Sequence, residues 1–178
     1  EALATLRYGL SGPRGITLLL GEAGTGKTTL LRAALNDQRQ TANRHVLLSN
    51  PTLTSTEFYE YLAAGFRVPQ VAVSKAKFLL DLQHDIVRRR AVGGMSALVI
   101  DEAQSLPYEL LEEIRLLANL ETYTAKLLNV VLVGQQELAE RLNDVSLRQL
   151  KQRVSLRCTL SPLDLRETAS YIATRIRV

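Results

Sequence analysis

The residue pattern with the clearest chemistry in this chain is a glycine-rich loop that ends in a lysine and a hydroxyl. Eight consecutive residues fit the pattern G-x-x-x-x-G-K-[ST]: Gly21, Glu22, Ala23, Gly24, Thr25, Gly26, Lys27 and Thr28. In such loops successive backbone N–H groups point into one concavity, and the positive end of the following helix adds to it. The lysine reaches the β- and γ-phosphates, and the hydroxyl ligates Mg²⁺. We therefore predict a nucleoside triphosphate site formed by these eight residues and Thr29.

The loop lies between a strand-like segment and a helix-like segment, which is the context that a phosphate-binding loop needs. Residues 16–20 read I-T-L-L-L and are typical of a buried strand, and residues 27–38 carry apolar residues at helical spacing. A chance match to the loop pattern alone should occur in on the order of one chain of this length in a few hundred. Because the context also fits, we favour a functional loop over a glycine-containing turn.

Two acids follow a second apolar segment and extend the predicted chemistry. Asp101 and Glu102 come directly after the four apolar residues 97–100. Buried parallel strands are continuously apolar, and their carboxyl ends open into the ligand crevice of the sheet. We expect Asp101 to hold Mg²⁺ together with Thr28, and Glu102 to polarise the water that attacks the γ-phosphate. A solvated acidic pair at a turn is the structural alternative.

Four further polar residues are candidates for the same site, and a fifth could regulate it. Gln135, with Gln136 as second choice, follows the fourth predicted strand and could orient the attacking water, or it could be a turn residue. Arg153, with Arg148 as second choice, precedes the last predicted strand, where an arginine finger of an oligomeric ATPase would enter a neighbour's site. A surface arginine is the alternative there. Asn50 could hydrogen-bond the predicted base, or form a turn, as Asn often does.

The elements that would position these residues alternate between strands and helices, which predicts an α/β fold with a mostly parallel sheet covered on both faces. The predicted strands span residues 16–20, 45–49, 97–100, 129–133 and 154–160. The predicted helices span residues 27–38, 56–66, 74–92, 107–120 and 137–150, and a last amphipathic helix starts near Asp164. Because Ser161 and Pro162 interrupt the alternation, we divide the chain into a nucleotide-binding core at 1–160 and the start of a helical appendage at 161–178.

Composition is ordinary for a globular protein of 178 residues, with 46% hydrophobic and 22% charged residues. No segment approaches the roughly 20 apolar residues that span a bilayer. The single Cys158 leaves no disulfide framework and fits a reducing compartment, so we expect a cytoplasmic location. Positive charge is concentrated in the C-terminal part of the chain, where eight Lys or Arg stand against three Asp or Glu from Arg141 onward. Such a stretch could meet nucleic acid, an acidic partner or a neighbouring subunit's nucleotide, or be a solvated basic face.

Five segments together resemble the ATPase module of the general secretion pathway protein A family, of the ExeA type. They are residues 21–32, 98–104, 116–122, 131–135 and 147–154. The resemblance implies a P-loop NTPase of AAA+-like fold, with a five-stranded parallel sheet of order 5-1-4-3-2 between helices and a helical lid that this chain only begins at 161–178. It also implies binding of ATP and Mg²⁺, and ATP hydrolysis in a homo-oligomer whose arginine finger acts in trans.

The same resemblance suggests what the module serves. In that family it precedes a membrane anchor and a periplasmic peptidoglycan-binding part, and the protein helps to assemble the type II secretion pore. It therefore implies a module tethered to the cytoplasmic face of the inner membrane through parts absent from this chain, with an envelope or secretion-machine subunit as partner. Similar modules serve pilus biogenesis and transposition, so a DNA-associated ATPase that delivers target DNA is the main alternative. A small-molecule kinase and a nucleotide-gated switch with negligible turnover are weaker alternatives.

Overall fold

One five-stranded parallel sheet organises the chain in the computed structural model, which describes residues 1–12, 15–37, 43–49, 51–68, 74–121 and 126–176. Neighbouring strands follow the order β2-β3-β4-β1-β5, and every pairing is parallel. The strands are β1 (Ile16–Gly21), β2 (Arg44–Leu48), β3 (Ser96–Ile100), β4 (Leu128–Gly134) and β5 (Val154–Leu160). This order is the predicted 5-1-4-3-2 counted from the other edge, so the predicted fold class is confirmed.

Helices cover both faces of the sheet and divide the core into two layers. They are α1 (Ala2–Ser11), α2 (Lys27–Asp37), α3 (Ser55–Phe66), α4 (Lys75–Ala91), α5 (Tyr108–Leu117), α6 (Gln136–Arg141), α7 (Arg148–Lys151) and α8 (Leu165–Ile176). Successive strand residues point to opposite faces, so Leu18 and Leu20 of β1 join the larger cluster with α3 to α7, whereas Leu19 joins the smaller cluster with α1 and α2. All six residues of β1 are buried, as the apolar segment predicted.

The first helix was not among the predicted elements. Leu6 and Leu10 of α1 are fully buried against the sheet in the smaller cluster. The buried amide of Asn129 on β4 donates a hydrogen bond of 2.9 Å to the carbonyl oxygen of Leu10, near the end of α1. The partner lies 119 residues away in sequence. A helix of ten residues is marginal in isolation and depends on such packing, which local pattern does not reveal.

The single helix predicted at 137–150 is wrong, because this segment is divided into three short pieces. Helix α6 ends at Arg141, a 3₁₀ turn covers Val145–Leu147, and α7 follows directly. The carboxylate of Asp144 accepts hydrogen bonds from the N–H of Ser146, at 2.8 Å, and from its hydroxyl, at 2.6 Å. An aspartate that bonds to the backbone two residues ahead favours a turn over a continuous helix.

The last helix packs differently from the others. In α8 no residue is buried, and Leu165 and Ile176 are largely exposed. The division into a core at 1–160 and the start of a lid at 161–178 stays a prediction. In the described part of the chain, no helix is both long enough and apolar enough to cross a bilayer.

Candidate functional site

The predicted phosphate loop and the predicted acids meet at the carboxyl edge of the sheet. Gly21 ends β1, Asp101 follows β3, and Gly134 ends β4, which lies between the other two strands. Leu20 of β1 is paired with Gly134 of β4, so the ends of these strands are level. This arrangement matches the crevice outside the strand ends where open α/β sheets bind ligands.

The loop between β1 and α2 has the backbone conformation that its glycines permit. Gly24 has a φ of 81° and Gly26 a φ of 88°, in the left-handed region that strains other residues. The hydroxyl of Thr25 donates to the carbonyl oxygen of Glu22 at 2.8 Å and closes the turn. The N–H of Leu30 then donates to the carbonyl oxygen of Gly26 at 2.9 Å, so helical bonding starts at the end of the loop. Glu22, Ala23 and the glycines at 24 and 26 are exposed, as an open cradle requires.

Lys27 is held at the mouth of this loop and has no acidic partner among the described residues. Its side chain is buried, with 6% of the residue exposed. The ammonium donates to the carbonyl oxygens of Gly21 and Glu22, each at 2.8 Å. An ammonium is a compact charge on a flexible stem with three rotatable donors, so it can exchange such partners for phosphate oxygens.

Thr28 and Asp101 are hydrogen-bonded across the site. The Thr28 hydroxyl donates to Asp101 Oδ2 at 2.8 Å, and Asp101 is only 6% exposed. Hydroxyl and carboxylate oxygens are ligands that Mg²⁺ accepts, and Mg²⁺ usually takes one or two protein ligands beside phosphate oxygens and water. The pair therefore fits the ion. Within the described residues, no cluster of three or more His, Cys, Asp or Glu side chains offers an alternative metal site.

Glu102 has an unusual backbone conformation beside this pair. Its φ of 54° and ψ of 39° lie in the left-handed region, which costs a non-glycine residue on the order of 1–3 kcal/mol. Its N–H donates to Asp101 Oδ1 at 3.0 Å, which helps to hold that conformation. Its carboxylate oxygen Oε2 accepts a hydrogen bond of 2.5 Å from Nε2 of Gln104. Strain of this kind persists where the surrounding contacts over-determine it, and it is common at functional sites.

Gln135 and Gln136 both lie next to the phosphate loop. Gln135 precedes the first residue of α6 and is half-buried, whereas Gln136 is exposed. Both line a small cleft of about 340 Å³ together with Glu22, Ala23 and Glu137. The side-chain role of either glutamine toward water stays a prediction.

Of the two predicted finger arginines, Arg153 lies far from the loop of its own chain. The N–H of Ile16, at the start of β1, donates to the carbonyl oxygen of Arg153 at 3.2 Å. Arg153 is thus at the amino edge of the sheet, roughly 16 Å from Gly21 at about 3.3 Å per strand residue. Arg148 begins α7 and is exposed. Arg153 could therefore not serve its own site without a large movement. Asn50, the candidate regulator, lies outside the described residues.

Sequence reasoning assigned no role to two side chains that the structure joins to the site. Gln104 contacts both Glu102 and the backbone of Gln135. Arg141 donates to the carbonyl oxygens of Gln104 and Leu106. The sequence could have indicated Gln104, because it lies only three residues after Asp101. It could not have indicated the contact with Arg141, which lies 37 residues further along the chain than Gln104.

A second, larger cleft opens on the other side of the loop. Its volume is about 610 Å³, and it lies between the loop, α2 and the segment from β5 to α8. Apolar and aromatic side chains, among them Leu30, Leu163 and Tyr171, line it. A cleft of this size and character suits a small organic ligand.

Comparison with known proteins agrees with this architecture. The family model described as the AAA domain matches residues 10–142. General secretion pathway protein A of Aeromonas hydrophila is 42% identical over the whole of this chain, which covers 32% of that protein. The chain therefore spans about a third of the length of this curated relative.

Solved structures share the fold at low sequence identity. The ORC2 protein of Aeropyrum pernix, in its ADPNP–ADP complexes, is 18% identical with a TM-score of 0.70, over 99% of this chain and 50% of that one. Drosophila ORC bound to DNA is 22% identical with a TM-score of 0.68, over 99% and 46%. Cdc6p of Pyrobaculum aerophilum is 23% identical with a TM-score of 0.67, over 99% and 48%. At these identities the likeness concerns the fold alone.

Proposed function

The chain belongs to the AAA domain family, and from that premise we propose that it binds ATP with Mg²⁺ and hydrolyses the γ-phosphate within a homo-oligomer. The observation that carries this proposal is the meeting of Lys27, Thr28 and Asp101 at one mouth of the sheet. A phosphate-reaching cation and an oxygen pair suited to Mg²⁺ are the two parts that hydrolysis of a nucleoside triphosphate needs before any base acts.

Each residue then has a defined task in the proposed reaction. The backbone of residues 21–26 and the start of α2, including Thr29, hold the phosphates, and Lys27 exchanges its two carbonyl partners for phosphate oxygens. Thr28 and Asp101 would hold Mg²⁺, which when bound neutralises charge on the phosphates. Gln135 orients a water, Glu102 takes a proton from it as the oxygen attacks the γ-phosphorus, and the bond to the bridging oxygen breaks. The nucleoside occupies the larger cleft beside Tyr171.

The proposed setting follows from the named relative. The likeness to general secretion pathway protein A supports a role in a bacterial secretion or envelope machine. We further propose, from the family resemblance of the sequence, that the module lies on the cytoplasmic side of the inner membrane and is tethered there in a full-length protein. A DNA-associated ATPase is the second candidate, because basic residues outnumber acidic ones from Arg141 onward. Binding to duplex DNA that weakens steeply with added salt would favour the second candidate.

Lys27→Ala and Glu102→Gln test the proposal together. Lys27→Ala removes the charge that meets the phosphates, so calorimetry should show most affinity for ATP lost. Glu102→Gln keeps the shape of the side chain but cannot take the proton, so ATP should still bind while turnover falls about 10²–10⁴-fold. Hydrolysis is measured as phosphate release.

Matched controls lie on surface helices away from the site. Lys77 on α4 forms an exposed ion pair with Asp81, and Glu60 on α3 is exposed. Lys77→Ala and Glu60→Gln should both behave as the parent. Unchanged ATP affinity in Lys27→Ala, or parental turnover in Glu102→Gln, would rule out the assignment of the corresponding residue.

A further inference from the structure

Gln104 connects two parts of the site that are otherwise separate. Its Nε2 donates a hydrogen bond of 2.5 Å to Oε2 of Glu102, after β3. Its Oε1 accepts a hydrogen bond of 3.1 Å from the N–H of Gln135, after β4. One amide group therefore spans the gap between the predicted base and the strand end that carries the predicted water-orienting residue.

The surrounding structure leaves room for this amide and fixes its backbone. A Cβ atom on Gly134 would lie 2.8 Å from Oε1 of Gln104, so a larger residue there would push the amide out of place. Behind it, the half-buried guanidinium of Arg141 donates to the carbonyl oxygen of Gln104 and, at 2.8 Å, to that of Leu106. Gly134 thus leaves space for the amide, and Arg141 holds the backbone of Gln104 where its side chain meets Glu102.

The local turn does not need the Gln104 side chain. The N–H of Ser105 donates to the carbonyl oxygen of Glu102 at 2.9 Å, and the N–H of Leu106 donates to that of Ala103 at 3.3 Å. Arg141 also bonds to backbone atoms of this segment. The turn is therefore closed by main-chain contacts, and the amide is available for a role at the site.

We propose that Gln104 is a positioning residue that orients Glu102 and couples it to the end of β4. The inference rests on the proposed ATPase function. With Oε2 held by Gln104, the other carboxylate oxygen, Oε1, makes no hydrogen bond to the described residues and is left to accept a proton from water. A shift of Gln135 on contact with the γ-phosphate region reaches Glu102 through the same amide, so the base is aligned when the triphosphate is in place.

Two variants separate the two hydrogen bonds. Gln104→Ala removes both, whereas Gln104→Glu keeps an acceptor for the Gln135 N–H but replaces the donor to Glu102 with a second carboxylate. Both variants should lower kcat about 10²-fold, the scale of a misplaced catalytic group, and leave the Kd for ATP unchanged. Exchange of the Gln135 amide, followed by NMR without nucleotide, should be about tenfold faster in Gln104→Ala and parental in Gln104→Glu. Gln83→Ala, on the partly exposed side of α4, is the control.

Parental kcat at saturating ATP in Gln104→Ala would overturn the inference, including the case in which only the Kd for ATP rises. Equal rates of hydrogen exchange at the Gln135 amide in the parent and in Gln104→Ala would contradict the hydrogen bond from this amide to Gln104, and with it the proposed link between Glu102 and β4. A parent that binds ATP without hydrolysing it would count against the proposed function. The hydrogen-exchange rate of the Gln135 amide would still decide whether Gln104 links Glu102 to the end of β4.

Discussion

Lys27 and His45 show two ways in which this chain accommodates a basic group that is shielded from solvent. Lys27 is buried but donates to two carbonyl oxygens. His45, at the start of the edge strand β2, has a buried Nε2 atom with no hydrogen-bond partner among the described residues. A buried imidazolium without a partner is unfavourable, so burial lowers the pKa of His45 below the usual 6.5.

This lowered pKa predicts a loss of stability in mild acid. As the pH falls below about 6.5, the unfolded chain takes up a proton at His45 before the folded chain does. The unfolded state then binds more protons, so the free energy of unfolding falls by at most about 1.4 kcal/mol per pH unit until the folded-state pKa is reached. His45→Gln cannot titrate, and urea unfolding between pH 7 and pH 5.5 should show a flatter pH dependence for it.

The chosen pH window separates His45 from the acids whose pKa is lowered. Hydrogen bonds from Thr54, Lys126 and Ser146 lower the pKa of Glu57, Glu121 and Asp144, respectively, below their usual values near 4. Their contributions to stability are present above the unfolded-state pKa and are lost as the pH falls through the lower folded-state pKa. If the free energy of unfolding depended on pH equally in His45→Gln and in the parent above pH 5.5, burial of this imidazole would not be the cause of the lost stability.

At the scale of elements, the sequence was sufficient wherever a local pattern decides the structure. The apolar segments 16–20, 97–100 and 129–133 each lie within a strand that extends it by one or two residues. The phosphate loop and the two acids are also local patterns, which is why they were found. Helix α1 and the interrupted helix after Gly134 depend on Asn129 and Asp144, whose hydrogen bonds a periodicity of apolar residues does not contain.

The site follows the same division. Thr28 and Asp101 were predicted as partners because known loop chemistry joins them, although 73 residues separate them. Gln104 was overlooked because its more distant partner, the backbone of Gln135, becomes a neighbour only when β3 and β4 lie side by side. Arg141 was assigned only to a basic stretch, whereas it is bonded to the turn that follows β3.

The end of helix α3 provides a prediction about the stability of an element. Arg67 caps this helix with a φ of 58° and a ψ of 40°, and its N–H donates to the carbonyl oxygens of Ala63 and Ala64. The left-handed conformation at a helix end is usually taken by glycine, since other residues pay about 1–2 kcal/mol for it. Arg67→Gly should therefore stabilise the chain by about 1 kcal/mol, seen as a rise in Tm of roughly 2–4 °C.

A second variant separates the backbone from the charge. Burial and the charges of Arg89 and Arg67 lower the pKa of Arg44, so loss of the Arg67 charge relieves some repulsion in either variant. Arg67→Ala removes the charge but keeps a Cβ atom in the left-handed conformation. The difference between the glycine and alanine variants isolates the backbone effect, and a glycine variant no more stable than the alanine one would contradict the prediction.

At the scale of the whole molecule, the two edges of the sheet carry different parts of the proposed chemistry. The carboxyl edge holds Lys27, Asp101 and Glu102, whereas the amino edge holds Arg153. One chain cannot bring both edges to the same phosphate, because the length of β1 lies between them. If Arg153 assists hydrolysis, it must do so at the site of another copy, and we then expect the active unit to be an interface between subunits.

This geometry predicts that specific ATPase activity rises with protein concentration. Arg153 lies near Glu121, whose pKa it helps to lower after the larger effect of Lys126, whereas exposed Arg148 has no ion pair with a described residue. Arg153 remains the first candidate, since it lies directly before β5, and Arg153→Ala should lower turnover about 10³-fold or more at concentrations where the parent is assembled. Arg148→Ala is the matched comparison, and Arg88→Ala, on the surface of α4, is the control.

A loss of turnover confined to Arg148→Ala would assign the finger to Arg148. Activity independent of concentration in a hydrolysing parent would instead mean that one chain completes the site alone.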